Sequence, residues 1–232
     1  MHIIFCANDA YVDEVLTCVS YISKTQKNYH LYILGDNLTE DNITRLEDNN
    51  ISVVQFKDHK DMGDWWRPNF LKLYIPQYFP ELDKVIYLDT DTITLRKLDH
   101  LWNIDIADYY AGCVKNIITP KAYMAKHYCE FGIAGDTDIA NLGVMVINCK
   151  EWREHSITTK LIQYTIDVLT KLRQRYDPSV SLARIQKEEF SFNSLLIGKW
   201  LELEERWNVV PVSKINRPYI IHTWHDPSSI YK

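Results

Sequence analysis

Cysteine and glycine are scarce in this sequence, and neither residue occurs in a pattern that defines a site. The five cysteines are odd in number and scattered, without a Cys-x-x-Cys pair. This arrangement argues against a disulfide scaffold and a zinc site, and it favours a reducing compartment. The seven glycines form neither a Gly-x-Gly-x-x-Gly fingerprint after the first predicted strand nor a Gly-x-x-x-x-Gly-Lys loop. Ordinary dinucleotide binding and phosphate-loop nucleotide hydrolysis therefore lose support.

A basic surface and long apolar runs are missing as well. The net charge is −5, whereas a nucleic-acid partner would require a clustered positive surface, so we expect no nucleic-acid binding. No segment approaches the ~20 apolar residues that a membrane span needs. The first residues enter a strand-like run, without a basic start ahead of a long apolar stretch. We therefore expect a soluble, cytoplasmic protein with no membrane span, and the sequence leaves its oligomeric state open.

The pattern that is present alternates short apolar runs with segments of helical spacing. Strands and helices in alternation predict an α/β fold with a central, mainly parallel sheet flanked by helices. The 232 residues have an ordinary globular composition and contain no internal repeat or linker, so we predict one domain over residues 1–232. Predicted strands cover residues 2–6, 31–34, 51–56, 85–88, 110–114, 142–147 and 219–222. Predicted helices begin near Val12 and Thr39 and cover residues 151–176 and 190–200.

Two carboxylates directly follow the predicted strand at residues 85–88. They belong to Asp89 and Asp91, which are separated by one residue. Side chains two positions apart on an extended backbone point to the same side, so both can reach one ion. Hard divalent cations such as Mg²⁺ and Mn²⁺ prefer oxygen ligands. Aspartates also commonly end strands in turns, but the position after a buried strand, with Thr90 alongside, favours metal binding.

The loops at the carboxyl ends of the predicted strands are the expected ligand site. In open α/β sheets ligands bind beyond those ends, which here means residues 7–11, 35–37 and 89–92. Residues 115–138 show no sustained period and form a long connection. Long connections in compact domains are often lids or binding loops, and we predict that role here.

Several ordered motifs resemble the family-8 glycosyltransferases of the GT-A type, the family of glycogenin and bacterial lipopolysaccharide galactosyltransferases. The resemblance covers nearly the whole chain. It rests on residues 3–11 (IIFCANDAY), 71–73 (LKL), 82–91 (LDKVIYLDTD), 141–148 (NLGVMVIN) and 219–222 (YIIH). It implies a single GT-A (Rossmann-like) domain, with a nucleotide- and metal-binding half at 1–114. Residues 115–232 would form the acceptor side and supply a C-terminal metal ligand.

The resemblance implies a metal-dependent retaining enzyme that moves a hexose, glucose or galactose, from a UDP-sugar. Asp89, Asp91 and His222 would hold Mn²⁺ (or Mg²⁺), and the ion would stabilise the leaving UDP as a Lewis acid. A lone histidine at a strand end is more often simply hydrogen-bonded than a metal ligand. The resemblance nevertheless favours a metal ligand at His222, but not at His225. The acceptor is unknown and is expected to be a carbohydrate, a lipid-linked molecule or a protein.

The resemblance also assigns residues to the donor. The donor-binding set is Ala7, Asn8, Tyr11, Lys72, Asp89, Thr90 and Asp91. The amide oxygen of Asn8 would accept the uracil N3–H and Tyr11 would stack on the base, although Asn8 and Asp9 also suit a turn and a helix cap. Lys72 would reach the donor sugar and phosphate. Its alternative is a lysine whose stem lies on apolar surface while its head reaches water.

The chain departs from the family at two places. The catalytic candidates are Lys72, Asn141, Glu188 and Glu189, and the last two stand where the family usually has Asp-Gln, on the reacting face of the sugar. Glu189 therefore offers a carboxylate in place of an amide, although paired acids are also favoured at a helix start by the macrodipole. The family's C-terminal His-x-x-Gly-x-x-Lys-Pro-Trp is not kept, and Lys232 is a possible replacement for its phosphate-binding lysine.

Two other classes of function remain open on the sequence. The altered C-terminal motif leaves room for a nucleotide-sugar-binding module with weak or no catalysis. Paired carboxylates on an α/β sheet also occur in metal-dependent nucleotidyltransferases, but a Gly-rich basic loop for a nucleoside triphosphate is missing. Release of UDP from a nucleotide sugar would separate the leading interpretation from both.

Overall fold

A seven-stranded sheet runs through the molecule, and a small second sheet of two strands accompanies it. The computed structural model describes residues 1–63, 66–117, 133–175 and 188–224. The strands within these ranges are β1 (His2–Asn8), β2 (His30–Asp36), β3 (Ile51–Gln55), β4 (Lys84–Leu88), β5 (Thr92–Thr94), β6 (Ala111–Lys115), β7 (Ala140–Asn148), β8 (Trp200–Leu203) and β9 (Ile220–His222). The main sheet has the order β3-β2-β1-β4-β7-β6-β8, and β5 pairs with β9.

The main sheet is mainly parallel, as predicted. Only the pairings of β7 with β4 and with β6 are antiparallel among the strands of this sheet. Since β7 runs against its neighbours, its first residues lie at the edge where β1 and β4 end. The residues that follow β1 and β4 and those that begin β7 therefore meet at one edge of the sheet.

Helices cover both faces of this sheet. They are α1 (Val12–Thr25), α2 (Glu40–Asp48), α3 (Ile75–Tyr78), α4 (Asp99–Trp102), α5 (Cys149–Glu154), α6 (Ile157–Arg175) and α7 (Glu188–Leu195). Successive residues of a strand point to opposite faces, and in β1 Ile4 joins one buried apolar cluster while Ile3 and Phe5 join the other. Helix α1 packs into the second cluster through Val15 and four further apolar residues. The sheet is thus flanked by helices, as predicted. Within the described residues no helix has the length and apolarity to cross a membrane.

The long helix predicted over residues 151–176 is two helices. Asn148 caps the first by accepting the Glu151 N–H at 3.2 Å, so α5 begins two residues before the predicted start. The chain then turns at Ser156, whose φ of 52° lies in the left-handed region that a helix cannot use. A break of two residues does not disturb the apolar spacing, which is why the pattern indicated one helix. The predicted end at residue 176 lies outside the described residues.

The helix predicted over residues 190–200 starts earlier and ends at Leu195. Gly198, with φ of 68°, lets the chain reverse, and Trp200 then begins β8 beside β6. Neither β8 nor the three-residue β5 was predicted. The predicted last strand exists as β9, but it pairs with β5 and not with the main sheet. Residues 118–132 of the predicted binding loop lie outside the described ranges.

Asp9 was expected to cap the first helix, and the structure assigns it to the second. Its Oδ1 accepts the backbone N–H of Thr39 and the side-chain amide of Asn42, both at 2.9 Å. The hydrogen bonds from the Asn42 side chain and the Thr39 backbone lower the pKa of the Asp9 carboxyl. Asn8 instead caps the short turn after β1, because its Oδ1 accepts the Ala10 N–H at 3.1 Å.

Candidate active site

A cavity of about 880 Å³ opens at the edge of the sheet where β1 and β4 end and β7 begins. Its volume lies in the range of pockets that hold small molecules. All the predicted site residues line it, namely Ala7, Asn8, Tyr11, Lys72, Asp89, Thr90, Asp91, Asn141, Glu188, Glu189 and His222. Nine residues that were not predicted to belong to the site also line it, namely Cys6, Arg67, Pro68, Asn69, Tyr87, Asn116, Leu142, Gly143 and Trp224.

Three potential metal ligands converge in this cavity. His222 Nε2 lies 3.2 Å from Asp91 Oδ1 and 3.8 Å from Asp89 Oδ2. One ligand atom from each residue can be chosen so that all lie within 4.8 Å of one another. Two carboxylates and an imidazole at this spacing form a donor set that fits Mn²⁺ or Mg²⁺. The residues therefore fit the divalent ion that the sequence predicts.

The small sheet brings the histidine to the two carboxylates. In the β5–β9 pair, Thr92 stands opposite His222. Thr223 then donates to the Asp91 carbonyl oxygen twice, from its backbone N at 2.9 Å and from Oγ1 at 3.1 Å. The backbone of the turn between β4 and β5 is thus fastened directly to the residue after His222.

His222 is buried and faces a different partner with each ring nitrogen. Nδ1 lies 3.0 Å from Asn208 Oδ1, while Nε2 faces the two carboxylates. Burial alone would lower the pKa of His222, but the hydrogen bond to Asp91 and the charges of Asp89 and Asp91 outweigh it and raise that pKa. The carboxylates therefore favour a positive charge at this point of the cavity.

The Lys72 head is buried, so the alternative in which it reaches water is wrong. Lys72 lies in the 3₁₀ helix Pro68–Tyr74 and is 4% exposed. Its Nζ is 2.9 Å from Asp89 Oδ1 and 3.0 Å from Glu188 Oε1. Burial would lower the pKa of Lys72, but the charges of Asp89 and Glu188 outweigh burial and raise it, so the ammonium is charged.

The two oxygens of Asp89 have different neighbours. Oδ1 accepts hydrogen bonds from Lys72 and from the Tyr87 hydroxyl, while Oδ2 is the oxygen nearer His222. Burial would raise the pKa of Asp89, but the charges of Lys72 and His222 outweigh it and hold the pKa below its usual value. Burial, together with Asp89, raises the pKa of Tyr87, which keeps its hydroxyl a donor. Asp89 is thus a carboxylate with one oxygen held by Lys72 and Tyr87 and the other directed toward His222.

The paired glutamates at the start of α7 do different things. Glu188 pairs with Lys72 through Oε1 and accepts from the Asn69 amide through Oε2. Glu189 lines the cavity, and its Oε1 accepts from Asn116 Nδ2 at 2.6 Å. Asn193, on the same helix, ties α7 to the backbone of β7. Its Oδ1 accepts from the Ala140 N–H at 2.7 Å, and its Nδ2 donates to the Ala140 carbonyl oxygen at 2.9 Å.

The residues predicted to meet the base, Asn8 and Tyr11, lie at the end of β1 and line the cavity. The turn-forming alternative for Asn8 is observed in its bond to Ala10 N, and its contact with uracil stays a prediction. Tyr11 is 49% exposed and lines the cavity, and its stacking on the base stays a prediction. His225 and Lys232 lie outside the described residues.

Sequence reasoning missed several residues that hold the site together. Gly143 was quoted only as part of a strand motif, yet a Cβ at this position would lie 2.2 Å from His222 Cε1. A glycine inside a strand is a known sign of close approach. Asn208 and Asn69 carried no signal, because single asparagines outside a motif are common in loops.

The sequence model of the family described as glycosyl transferase family 8 matches residues 2–227. The chain is 26% identical to glycosyltransferase GlyA of Streptococcus pneumoniae over 91% of its length, but spans only 28% of that protein. It is 23% identical to general stress protein A of Bacillus subtilis, covering 90% of this chain and 73% of that protein.

Solved structures give the same fold. The galactosyltransferase LgtC, in complex with donor and acceptor sugar analogues, matches with a TM-score of 0.77 at 19% identity, over 96% of this chain and 86% of that one. The glycosyltransferase GlyE of Streptococcus pneumoniae matches with a TM-score of 0.66 at 20% identity, over 95% and 54% of the two chains. The predicted fold, an α/β GT-A fold with a mainly parallel sheet, is confirmed.

Proposed function

The chain belongs to glycosyl transferase family 8, and from that membership we propose that it transfers a hexose, glucose or galactose, from a UDP-sugar to an acceptor with retention of configuration. The observation that carries the proposal is the convergence of Asp89, Asp91 and His222 in the lining of a cavity of about 880 Å³. These three residues would hold Mn²⁺ or Mg²⁺. The neighbour LgtC, a galactosyltransferase solved with donor and acceptor sugar analogues, supports a hexose donor.

The ion at this position would act as a Lewis acid on the negative charge that develops on the departing diphosphate. The protein's own part is to keep the ligands charged and oriented. Lys72 and Tyr87 hold Asp89 through one oxygen and leave the other toward the site. Asn141 and Tyr11 would contact the donor on either side of the ligands, where both line the cavity.

Glu189 is our candidate for the sugar side of the reaction. The Glu188 carboxylate is engaged by Lys72 and Asn69, so it serves to hold Lys72 in place. Glu189 lines the cavity from the first turn of α7. We propose that the transfer proceeds by attack on the same face that UDP leaves, with Glu189 stabilising positive charge on the sugar. The covalent alternative, with Glu189 as nucleophile, follows the chemistry of retaining glycosidases.

A second candidate function is a nucleotide-sugar-binding module with weak or no catalysis. It is favoured by one observation, namely that the ammonium group of Lys72 is paired with Asp89 and Glu188. A lysine so engaged is a weaker contact for a donor phosphate than the family resemblance implies. The acceptor in either case is proposed to be a carbohydrate, a lipid-linked molecule or a protein.

Incubation with Mn²⁺ and a panel of nucleotide sugars, followed by mass spectrometry, tests the proposal. We expect release of UDP from UDP-glucose or UDP-galactose, slowly to water and faster once an acceptor is found. Excess chelator should abolish the release of UDP. The control variant Asp83→Asn, a surface change outside the cavity, should release UDP as the wild type does. Binding of UDP with Mn²⁺ but no release from any sugar donor would establish the binding module instead.

A further inference from the structure

We propose that Asn208 is a positioning residue that orients the His222 imidazole so that its Nε2 faces the cation site. The inference rests on the proposed metal-dependent function. Asn208 is 5% exposed and lies just after the 3₁₀ helix Glu205–Trp207. It belongs to no part of the cavity lining, so it acts through His222 and touches no substrate.

A chain of hydrogen bonds that starts at a backbone N–H determines which way the side-chain amides of Asn141 and Asn208 are oriented. The Gly143 N–H can only donate, and it does so to Asn141 Oδ1 at 2.9 Å. The same oxygen accepts from Asn208 Nδ2 at 2.7 Å. The other atom of the Asn208 amide is then its oxygen, which can only accept.

That oxygen decides which nitrogen of His222 carries the proton. Asn208 Oδ1 lies 3.0 Å from His222 Nδ1, so Nδ1 must be the donor. In that tautomer the lone pair that a metal needs is at Nε2, on the side of Asp89 and Asp91. The tautomer required for metal binding is therefore set by a backbone N–H three hydrogen bonds away.

Two backbone hydrogen bonds also fix the position of Asn208 relative to His222. The Val209 N–H donates to Ile220 O at 3.0 Å, and the His222 N–H donates to Val209 O at 2.9 Å. The residue after Asn208 is thus bonded to the backbone on both sides of Ile221. The Gly143 backbone closes off the face of the His222 ring, where no side chain would fit. Metal-ligating histidines usually have their second nitrogen bonded in this way, and loss of that partner costs about 10–100-fold in metal affinity or activity.

The test measures binding of Mn²⁺ alone, without a donor, by electron paramagnetic resonance. Asn208→Ala removes the acceptor and should weaken Mn²⁺ binding by about 10–100-fold. Asn208→Asp keeps an acceptor for Nδ1 but cannot donate to Asn141, and it should bind within about threefold of wild type, since the oxygen on Nδ1 is what matters. Asn148→Ala is the matched control, because Asn148 also donates one bond and accepts one, at the far end of β7. It should leave Mn²⁺ affinity unchanged.

Mn²⁺ affinity, pulsed resonance and thermal unfolding together distinguish a positioning role of Asn208 from a purely structural one. Pulsed resonance should detect a directly bound imidazole nitrogen on Mn²⁺ in the wild type and lose it in His222→Ala. Equal affinity in wild type and Asn208→Ala overturns the role of Asn208. Equally weak binding by the Ala and Asp variants, both folded by thermal unfolding, also overturns it. If Asn208→Ala does not fold, the Asp variant decides alone. Absence of Mn²⁺ binding in the wild type would instead overturn the proposed metal site.

Discussion

Thr92 and His222 stand opposite each other in the antiparallel pair β5–β9. This register places the histidine beside a carboxylate that lies one residue before Thr92 in the chain. The bonds from Thr223 to the Asp91 carbonyl extend the same pairing. The proposed metal ligands Asp91 and His222 are thus brought together by backbone pairing.

Asp91→Asn should abolish Mn²⁺-dependent UDP binding while leaving the fold intact. The substitution removes a charged ligand, but the bonds from Thr223 go to the backbone oxygen of Asp91 and are kept. Thermal unfolding with and without Mn²⁺ and UDP measures both effects, because a ligand that binds only the folded state raises its stability. Full transfer activity in excess chelator would refute the metal assignment.

His222→Ala should weaken Mn²⁺-dependent UDP binding about tenfold or more, the scale of a lost contact of about 1.4 kcal/mol. The histidine would supply the third ligand atom, and its Nε2 lies 3.2 Å from Asp91 Oδ1. Isothermal titration of UDP at fixed Mn²⁺ gives the affinity. Identical affinities for the variant and the wild type would exclude the ligand role.

Gly143→Ala should weaken Mn²⁺ binding, because the new Cβ would lie 2.2 Å from His222 Cε1 and push the ring away. Gly112→Ala is the matched control in a neighbouring strand. There the added Cβ meets the far end of the Leu203 side chain at 2.9 Å, which can shift. Titration of Mn²⁺ should therefore separate the two variants, and an unchanged affinity in Gly143→Ala would contradict the observed packing.

Lys72→Met should destabilise the fold by about 3–5 kcal/mol, since it leaves buried carboxylates without their cation. Both Asp89 and Glu188 lose the Lys72 ammonium. Without Lys72 the pKa of Asp89 should rise, because burial is then opposed only by the weaker effects of His222 and Tyr87. The variant should therefore regain stability as the pH falls, since protonation removes the buried charge, while the wild type should not.

Urea unfolding at neutral and mildly acidic pH measures this difference. The double variant Lys72→Met with Glu188→Gln removes one of the two orphaned charges and should recover part of the loss. A single variant as stable as the wild type at neutral pH would show that the ion pairs contribute nothing.

Glu189→Gln should keep transfer within about tenfold of wild type if attack occurs on the face that UDP leaves. The same change would cost several kcal/mol of barrier if Glu189 were the nucleophile. Turnover is compared with donor binding, which both routes leave intact. An inactive variant, together with a mass increase of one hexosyl unit on Glu189 in the wild type, would establish the covalent route.

The first four strands of the main sheet, and the two carboxylates that follow the fourth, could be predicted because their signals are local. Apolar runs at β1, β2, β3 and β4 have the length and composition of buried strands, and Asp89 and Asp91 directly follow one of them. His222 required the resemblance to the family, since nothing near it in sequence indicates its neighbours.

Other parts of the fold and site depend on contacts between distant residues. The burial of Lys72 is decided by Glu188, which lies on another element, and the spacing around Lys72 fits a surface lysine equally well. The breaks at Ser156 and Gly198 are single backbone conformations that leave the apolar period intact. The relay through Asn208 joins three segments, and none of them carries the pattern alone.

The pairing of β5 with β9 also determines when in folding the site is completed. Roughly 130 residues separate Asp91 from His222, and closing a flexible loop of that length costs about 4 kcal/mol of chain entropy. During synthesis the strands β1 to β4 emerge before β9 and can pair with one another, and β9 follows the other eight described strands. Affinity for the ion is therefore expected to be acquired late, when β9 docks. An ion bound across this junction would hold the two ends together and slow their separation.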